Sequence, residues 1–251
     1  MLGWGQTPPV KMKKLIYSST DMEQCALERG FLPFFTCGIP GFSIEELTPY
    51  ELWFSDEVDG PWEWKGPVIR EGHCAYGKFF NKKAGYVSLE WLPDLANYRR
   101  SIPLARDENT AAIDEIVYQA IDAQGSATIK ELRRLLGFAK GRSKRKPSDI
   151  PDAAPMDIKI SLDPILTRLM MQLRIVISDF EYSLDRHGRQ YGWGVARYTL
   201  PETLYGSLCV DRTPEESHER IYHHFKSLFP NTSDKNLLKL INSGPDKVTR
   251  R

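Results

Sequence analysis

The sequence predicts an α+β fold in which one or more winged helix-turn-helix units pack against an N-terminal α/β half. Three observations predict it. From Asn109 to Leu200 the residues run helix, helix, basic loop, helix and then a two-stranded hairpin. Upstream, two strand-like runs flank the lysine-rich turn Asn81-Lys82-Lys83-Ala84-Gly85. Short amphipathic helices, opened by Ser or Thr with Glu three residues later, fill most of what is left.

Residues Met1–Met12 hold Gly3, Gly5, Pro8 and Pro9 and read as a loose arm. A helix follows, with Thr20 and Glu23 as its capping pair and Gly30 just past its end. Phe31-Leu32-Pro33-Phe34-Phe35 plugs into the core. Ser43 with Glu46, and Thr48 with Pro49 and Glu51, cap two more short helices. In Gly60-Pro61-Trp62-Glu63-Trp64-Lys65, alternation places Trp62 and Trp64 on one face of a strand. Tryptophans so spaced serve a core, or stack unpaired bases beside cations. Cys74–Phe80 and Tyr86–Ser88 form a hairpin. A helix from Ser88 ends in Tyr98-Arg99-Arg100, with Pro93 in an early turn or at a kink.

The short polar segment Ser101–Glu108 marks a boundary. The expected division is residues 13–108, an N-terminal α/β half with a β-hairpin; 109–206, a winged helix-turn-helix; and 207–251, a C-terminal helical pair packed on the winged-helix unit. Ile113, Ile116, Val117, Ala120 and Ile121 recur at helical spacing until Gly125. Thr128 and Glu131 cap the second helix, which Gly137 ends. Residues 138–160 swell the usual short turn into a basic loop. In the third helix Leu162, Ile165, Leu166, Leu169, Met170 and Leu173 point inward, and Asp163, Thr167, Arg168, Met171 and Arg174 form the outer side. Strands at Val176–Tyr182 and Trp193–Leu200 make the wing, with Arg186, His187 and Arg189 at its tip.

Composition excludes several classes. The chain is 41% hydrophobic and 27% charged with a net charge of +1, so any polyanion site must be a local patch. No apolar run suits a signal peptide or a membrane span, and the four cysteines form no CxxC pair, so a cytoplasmic protein with reduced thiols is expected. His73 and Cys74 are sequence neighbours that point to opposite faces of a strand, which argues against a dyad. His218, His223 and His224 lack a metal-ligand pattern, and no metal or cofactor is expected. Asp56, Glu57, Glu63, Glu90 and Asp94 include no pair singled out by spacing as acid and base, so whether the chain is an enzyme stays open. No phosphate-loop, dinucleotide, nucleophile-elbow or zinc-protease signature occurs.

One window concentrates the charge. Between Ser126 and Lys146 eight Lys or Arg residues face only Glu131, a net +7, which leaves about −6 for the rest. Lys140, Arg142, Lys144, Arg145 and Lys146 would follow a nucleic-acid backbone, or form a solvated insertion. Thr167, Arg168 and Met171 would reach base edges, or Arg168 would pair with Asp163 or Asp179. Arg186 and Arg189 would add phosphate or minor-groove contacts, or serve solubility alone. The expected partner is DNA, most simply a duplex.

The stretches FLPFF, GPWEWKGPV, AYGKFFNKKAGYVSLEWLPDLANYRR, LTRLMMQLRIVISDFEY and YGWGVARYTLPE span most of Phe31–Glu202. Through them the chain resembles winged-helix proteins related to the AlkZ/YcaQ type of bacterial DNA glycosylase. The resemblance implies tandem winged helices on DNA and, in those enzymes, base excision through a Gln-x-Gln or Gln-x-Asp motif. The nearest match, Met170-Met171-Gln172, lacks the first glutamine, so no catalytic residue is carried over. Two further readings stand beside DNA binding: a glycosylase-like repair enzyme acting on a damaged base, and a winged helix used only for protein association.

Overall fold

A computed structural model describes residues 15–55, 57–137, 161–184, 186–187 and 190–242. The first helix, α1 (Ser19–Arg29), is capped by Ser18, whose side chain accepts from the Asp21 N–H. The expected Thr20 cap lies two residues too late, because Ser18 already supplies an oxygen in extended backbone. Gly30 ends α1 in the left-handed region, where an added Cβ would strike the Trp91 ring. Strand β1 (Phe31–Pro33) follows, then α2 (Ile44–Leu47), opened by the reciprocal Ser43–Glu46 box. Tyr50–Leu52 is a 3-10 turn without a side-chain cap.

Trp62 and Trp64 are helical, a correction to the strand expected there. Helix α3 (Pro61–Glu71) starts with proline in its first turn, and the Glu63 carboxylate accepts from the Gly60 N–H at 2.9 Å. Pro61, Trp64, Lys65, Val68 and Ile69 then form one buried helical stripe. Lys65 holds its ammonium 4.2 Å from the Phe180 ring centroid and 5.5 Å from that of Trp62, and burial pulls its pKa down.

β2 (Cys74–Phe80) and β3 (Lys83–Ser88) form the expected hairpin, with a tighter turn. Asn81 and Lys82 both have positive φ, +50° and +68°, matching the twist of the flanking strands. Gly85 sits where β1 crosses closely: an added Cβ would lie 2.6 Å from the Leu32 carbonyl oxygen. Helix α4 (Leu92–Arg100) carries Pro93 in its first turn, so no kink results.

The second half comprises α5 (Glu108–Gln124), β4 (Ser126–Thr128), α6 (Ile129–Leu135), α7 (Leu162–Met171), β5 (Val176–Leu184) and β6 (Gln190–Thr199). Asp107 caps α5 and the Thr128–Glu131 box caps α6. Then come α8 (Pro201–Tyr205), α9 (Pro214–Leu228), capped by Thr213 and Glu216, and α10 (Asp234–Asn242).

All six strands form one antiparallel sheet in the order β1-β3-β2-β5-β6-β4, and Tyr76 opposite Ile177 joins the halves. Alternate strand residues serve two cores. Leu32, Cys74, Tyr76, Tyr86 and Ile177 face a core shared with α1, α3, α5 and α7. Phe31, Ala75, Phe79, Val87 and Val176 face a second one with α4, α9 and α10. The fold is thus mixed α and β around one sheet. The C-terminal pair packs on α4 of the first half, a correction to the packing on the winged-helix unit expected from sequence. Its apolar stripe completes the core that Phe31, Phe42 and Leu95 leave open.

Two buried charges tie these layers. Arg99 donates to four backbone carbonyls: Ile241 at 2.6 Å, Leu240 and Met171 at 3.1 Å, and Phe79 at 3.2 Å. Three of them end α7 and α10, where the helix dipole is negative. Burial lowers its pKa to about 9, which leaves it a cation at neutral pH. Asp94 accepts from Arg212 at 2.7 Å, from Ser217 at 2.9 Å and from Arg220, clamping α4 to α9.

Candidate nucleic-acid interface

Helix α7 lies between α5 and β2, so both its sides are covered. Met171 is 3% and Thr167 9% exposed, and the outer-face position expected for them is corrected on that ground. Thr167 accepts from the Lys78 ammonium at 3.3 Å. Arg168 is half-buried and grips Asp114 of α5 through two hydrogen bonds of 2.7 and 2.5 Å. Its partner is neither of the two aspartates expected from sequence, because helix-to-helix packing brought a third closer. A spacing argument sees one helix and cannot see that its polar side meets a neighbour.

Helix α6 is different. Its capping box directs Leu132 inward and turns Lys130 and Arg134 out to solvent, with Arg133 half-exposed. None of the three forms an ion pair among the described residues. Lys140, Arg142, Lys144, Arg145 and Lys146 lie outside the described residues, as does Arg189. At the β5–β6 turn Arg186 and His187 are exposed, and Arg186 Nε donates to His187 Nε2 at 2.9 Å. At the root of that hairpin Arg197 joins Glu181 and Glu131, linking β6 to β5 and α6.

Three of the five carboxylates weighed for acid–base chemistry have structural partners, and Asp56 lies outside the described residues. Glu63 caps α3, Asp94 sits in its arginine clamp, and Glu90 reaches Arg220 at 3.5 Å. Burial pushes the Cys74 thiol up to about 12, while His73 contacts Glu23 at 2.8 Å. His224 stacks its ring on Trp91, and its Nε2 lies 2.8 Å from the Arg29 carbonyl oxygen. Among the described residues no group of His, Cys, Asp and Glu is arranged to hold a metal ion, and no helix is long and apolar enough to cross a membrane.

Sequence reasoning missed a polar cleft of about 290 Å³ lined by Arg100, Tyr118, Gln172 and Arg174. These residues come from the ends of α4 and α7, the middle of α5 and the start of β5. No linear signal unites them. Leu173, between two of them, takes φ +52° and closes α7, with the Arg174 N–H donating to the Leu169 carbonyl at 3.0 Å. That turn swings Arg174 away from the helix and over the Tyr118 ring, 3.9 Å from its centroid.

The described residues thus define a mixed α and β fold around one antiparallel sheet. The chain belongs to the AlkZ-related family, whose model, described as "AlkZ related", matches residues 16–242. No curated protein and no solved structure matches the chain.

Proposed function

We propose that this protein binds duplex DNA through its backbone, by way of a winged-helix unit built from α5, β4, α6, α7, β5 and β6. The observation that carries the reading is the outward set of Lys130, Arg133 and Arg134 on α6, without ion pairs among the described residues. In sequence it is followed by the run Lys140, Arg142, Lys144, Arg145 and Lys146, on a chain of net charge +1. Cations without local carboxylates gain from displacing the counterions of a polyanion. Family membership and the element order, with β4 against β6, support the same reading. Arg186 at the hairpin tip adds a second phosphate contact. With Met171 buried and Arg168 engaged by Asp114, base reading by α7 has little support, and the binding expected is largely independent of sequence.

Gel-shift titrations of unrelated duplexes at several salt concentrations test this. Replacing Lys130 and Arg134, or Lys144 and Arg145, with alanine should weaken binding to all duplexes alike. Each lost phosphate contact should flatten the slope of log K against log salt by about 0.9. An unchanged affinity and slope in both double variants would sink the assignment.

A further inference from the structure

The cleft lined by Arg100, Tyr118, Gln172 and Arg174 is built in a way that packing alone does not require. Its side chains are held in place by bonds on their outer edges. Arg174 Nη2 donates to Glu115 at 2.7 Å while its plane lies on the Tyr118 ring. Arg100 donates through Nη1 to Glu202 and through Nη2 to the Leu173 carbonyl, each at 2.6 Å. The Gln172 amide nitrogen donates to the Ile102 carbonyl at 3.2 Å.

A guanidinium carries five N–H donors. Among the described residues, Nε of both arginines and Nη1 of Arg174 have no acceptor, and neither the Tyr118 hydroxyl nor Gln172 Oε1 has a partner. The side chains that line this small polar space thus keep several donors and an acceptor unpaired among the described residues. The ends of α4 and α7 would oppose an anion there, but Arg100 already occupies the Leu173 carbonyl and Gln172 the Ile102 carbonyl. Glu115 and Glu202 are partly solvent-exposed, which weakens their hold on the two guanidinium charges.

We propose that this cleft binds a phosphate group. Two planar arginine forks and a phenol O–H match phosphate oxygens. The phosphate's source is a nucleic-acid strand, at its end or along its backbone, or a free phosphate ester. The first of these rests on the DNA-binding reading above; the phosphate site itself does not.

The full chain is titrated with inorganic phosphate and with pyrophosphate, followed by calorimetry and by the arginine side-chain N–H resonances. Saturable binding is expected, weakened about tenfold or more by Arg174→Gln. Tyr118→Phe, which keeps the ring under Arg174, should weaken it less. Glu115→Gln releases one guanidinium edge and should tighten binding several-fold, a gain that a damaged fold would not give. Failure of phosphate and pyrophosphate to saturate, or an affinity indifferent to Arg174→Gln and Glu115→Gln, overturns the site even if DNA still binds. Tighter binding to a 5′-phosphorylated duplex than to the unphosphorylated one, lost in Arg174→Gln, assigns a strand end. Equal binding to the two duplexes, with phosphate as competitor, assigns the backbone. Phosphate binding without DNA binding removes the DNA reading and keeps the site for a free phosphate ester.

Discussion

Arg99 shows how much one side chain can hold. It is fully buried without a carboxylate partner among the described residues, and four carbonyls from α7, α10 and β2 share its charge. Desolvating a guanidinium is tolerable only because every hydrogen bond is charge-assisted and several acceptors lie at negative helix ends. Arg99→Met keeps most of the bulk and strands those carbonyls in the core. Each orphaned buried acceptor costs about 1–3 kcal/mol, so a total loss on the order of 3 kcal/mol or more is expected in urea unfolding. Arg99→Lys keeps the charge but lacks the fork, and should fall between the two. A loss below about 1 kcal/mol for the methionine variant would show that water replaces the arginine. The sequence displayed only Tyr98-Arg99-Arg100 at a helix end, where both arginines read as dipole partners. Arg100 does cap a carbonyl near the surface, but the burial of Arg99 depends on α9 and α10 arriving more than a hundred residues later.

Among elements, the most consequential junction is α4 against α9. Asp94 is buried at its centre. Burial opposes its charge, yet hydrogen bonds from Arg212 and Ser217 and the charge of Arg220 hold its carboxyl below the usual range. A folded pKa below the unfolded value of about 3.9 adds stability at every pH above that value. The addition is lost as pH falls through the lowered folded value. Asp94→Asn should therefore reduce stability at neutral pH and make the fall of stability below pH of about 4 shallower, read from urea midpoints across pH. An equal acid slope in both proteins would assign the acid loss to other carboxylates. Legibility at this scale followed locality. The boxes at Ser43 and Thr128 were readable because cap and partner lie three residues apart. Trp62 and Trp64 misled because alternation over three residues mimics a strand, while Pro61 and Glu63 carried the helix signal. The outer side of α7 and the four-residue cleft were not readable, since both are made by elements that meet only in the folded chain.

The whole molecule is joined by its sheet, even though the sequence marked a boundary at Ser101–Glu108. Between β2 and β5 the strand pairing is slight, Tyr76 opposite Ile177. Side chains reinforce that seam: Arg70 reaches Asp179 at 3.0 Å, Lys78 reaches Thr167, the Tyr205 hydroxyl reaches the Cys74 carbonyl, and Arg99 bonds the last turn of α7. Both faces are covered by helices from either side of the boundary, so neither half can open without exposing apolar surface in the other. A chain of 251 residues would ordinarily be expected to unfold through intermediates. Continuity of the cores argues instead for one cooperative transition. Five of the six tryptophans precede the boundary and Trp193 lies in β6, so tryptophan fluorescence reports mainly the first half, whereas far-ultraviolet circular dichroism reports the helices of both. In urea the two curves should share one midpoint, and Arg99→Met, which cuts the seam at α7, should separate them. Two midpoints in the unmodified protein would mean that the seam is weaker than its contacts indicate and that the halves unfold as separate units.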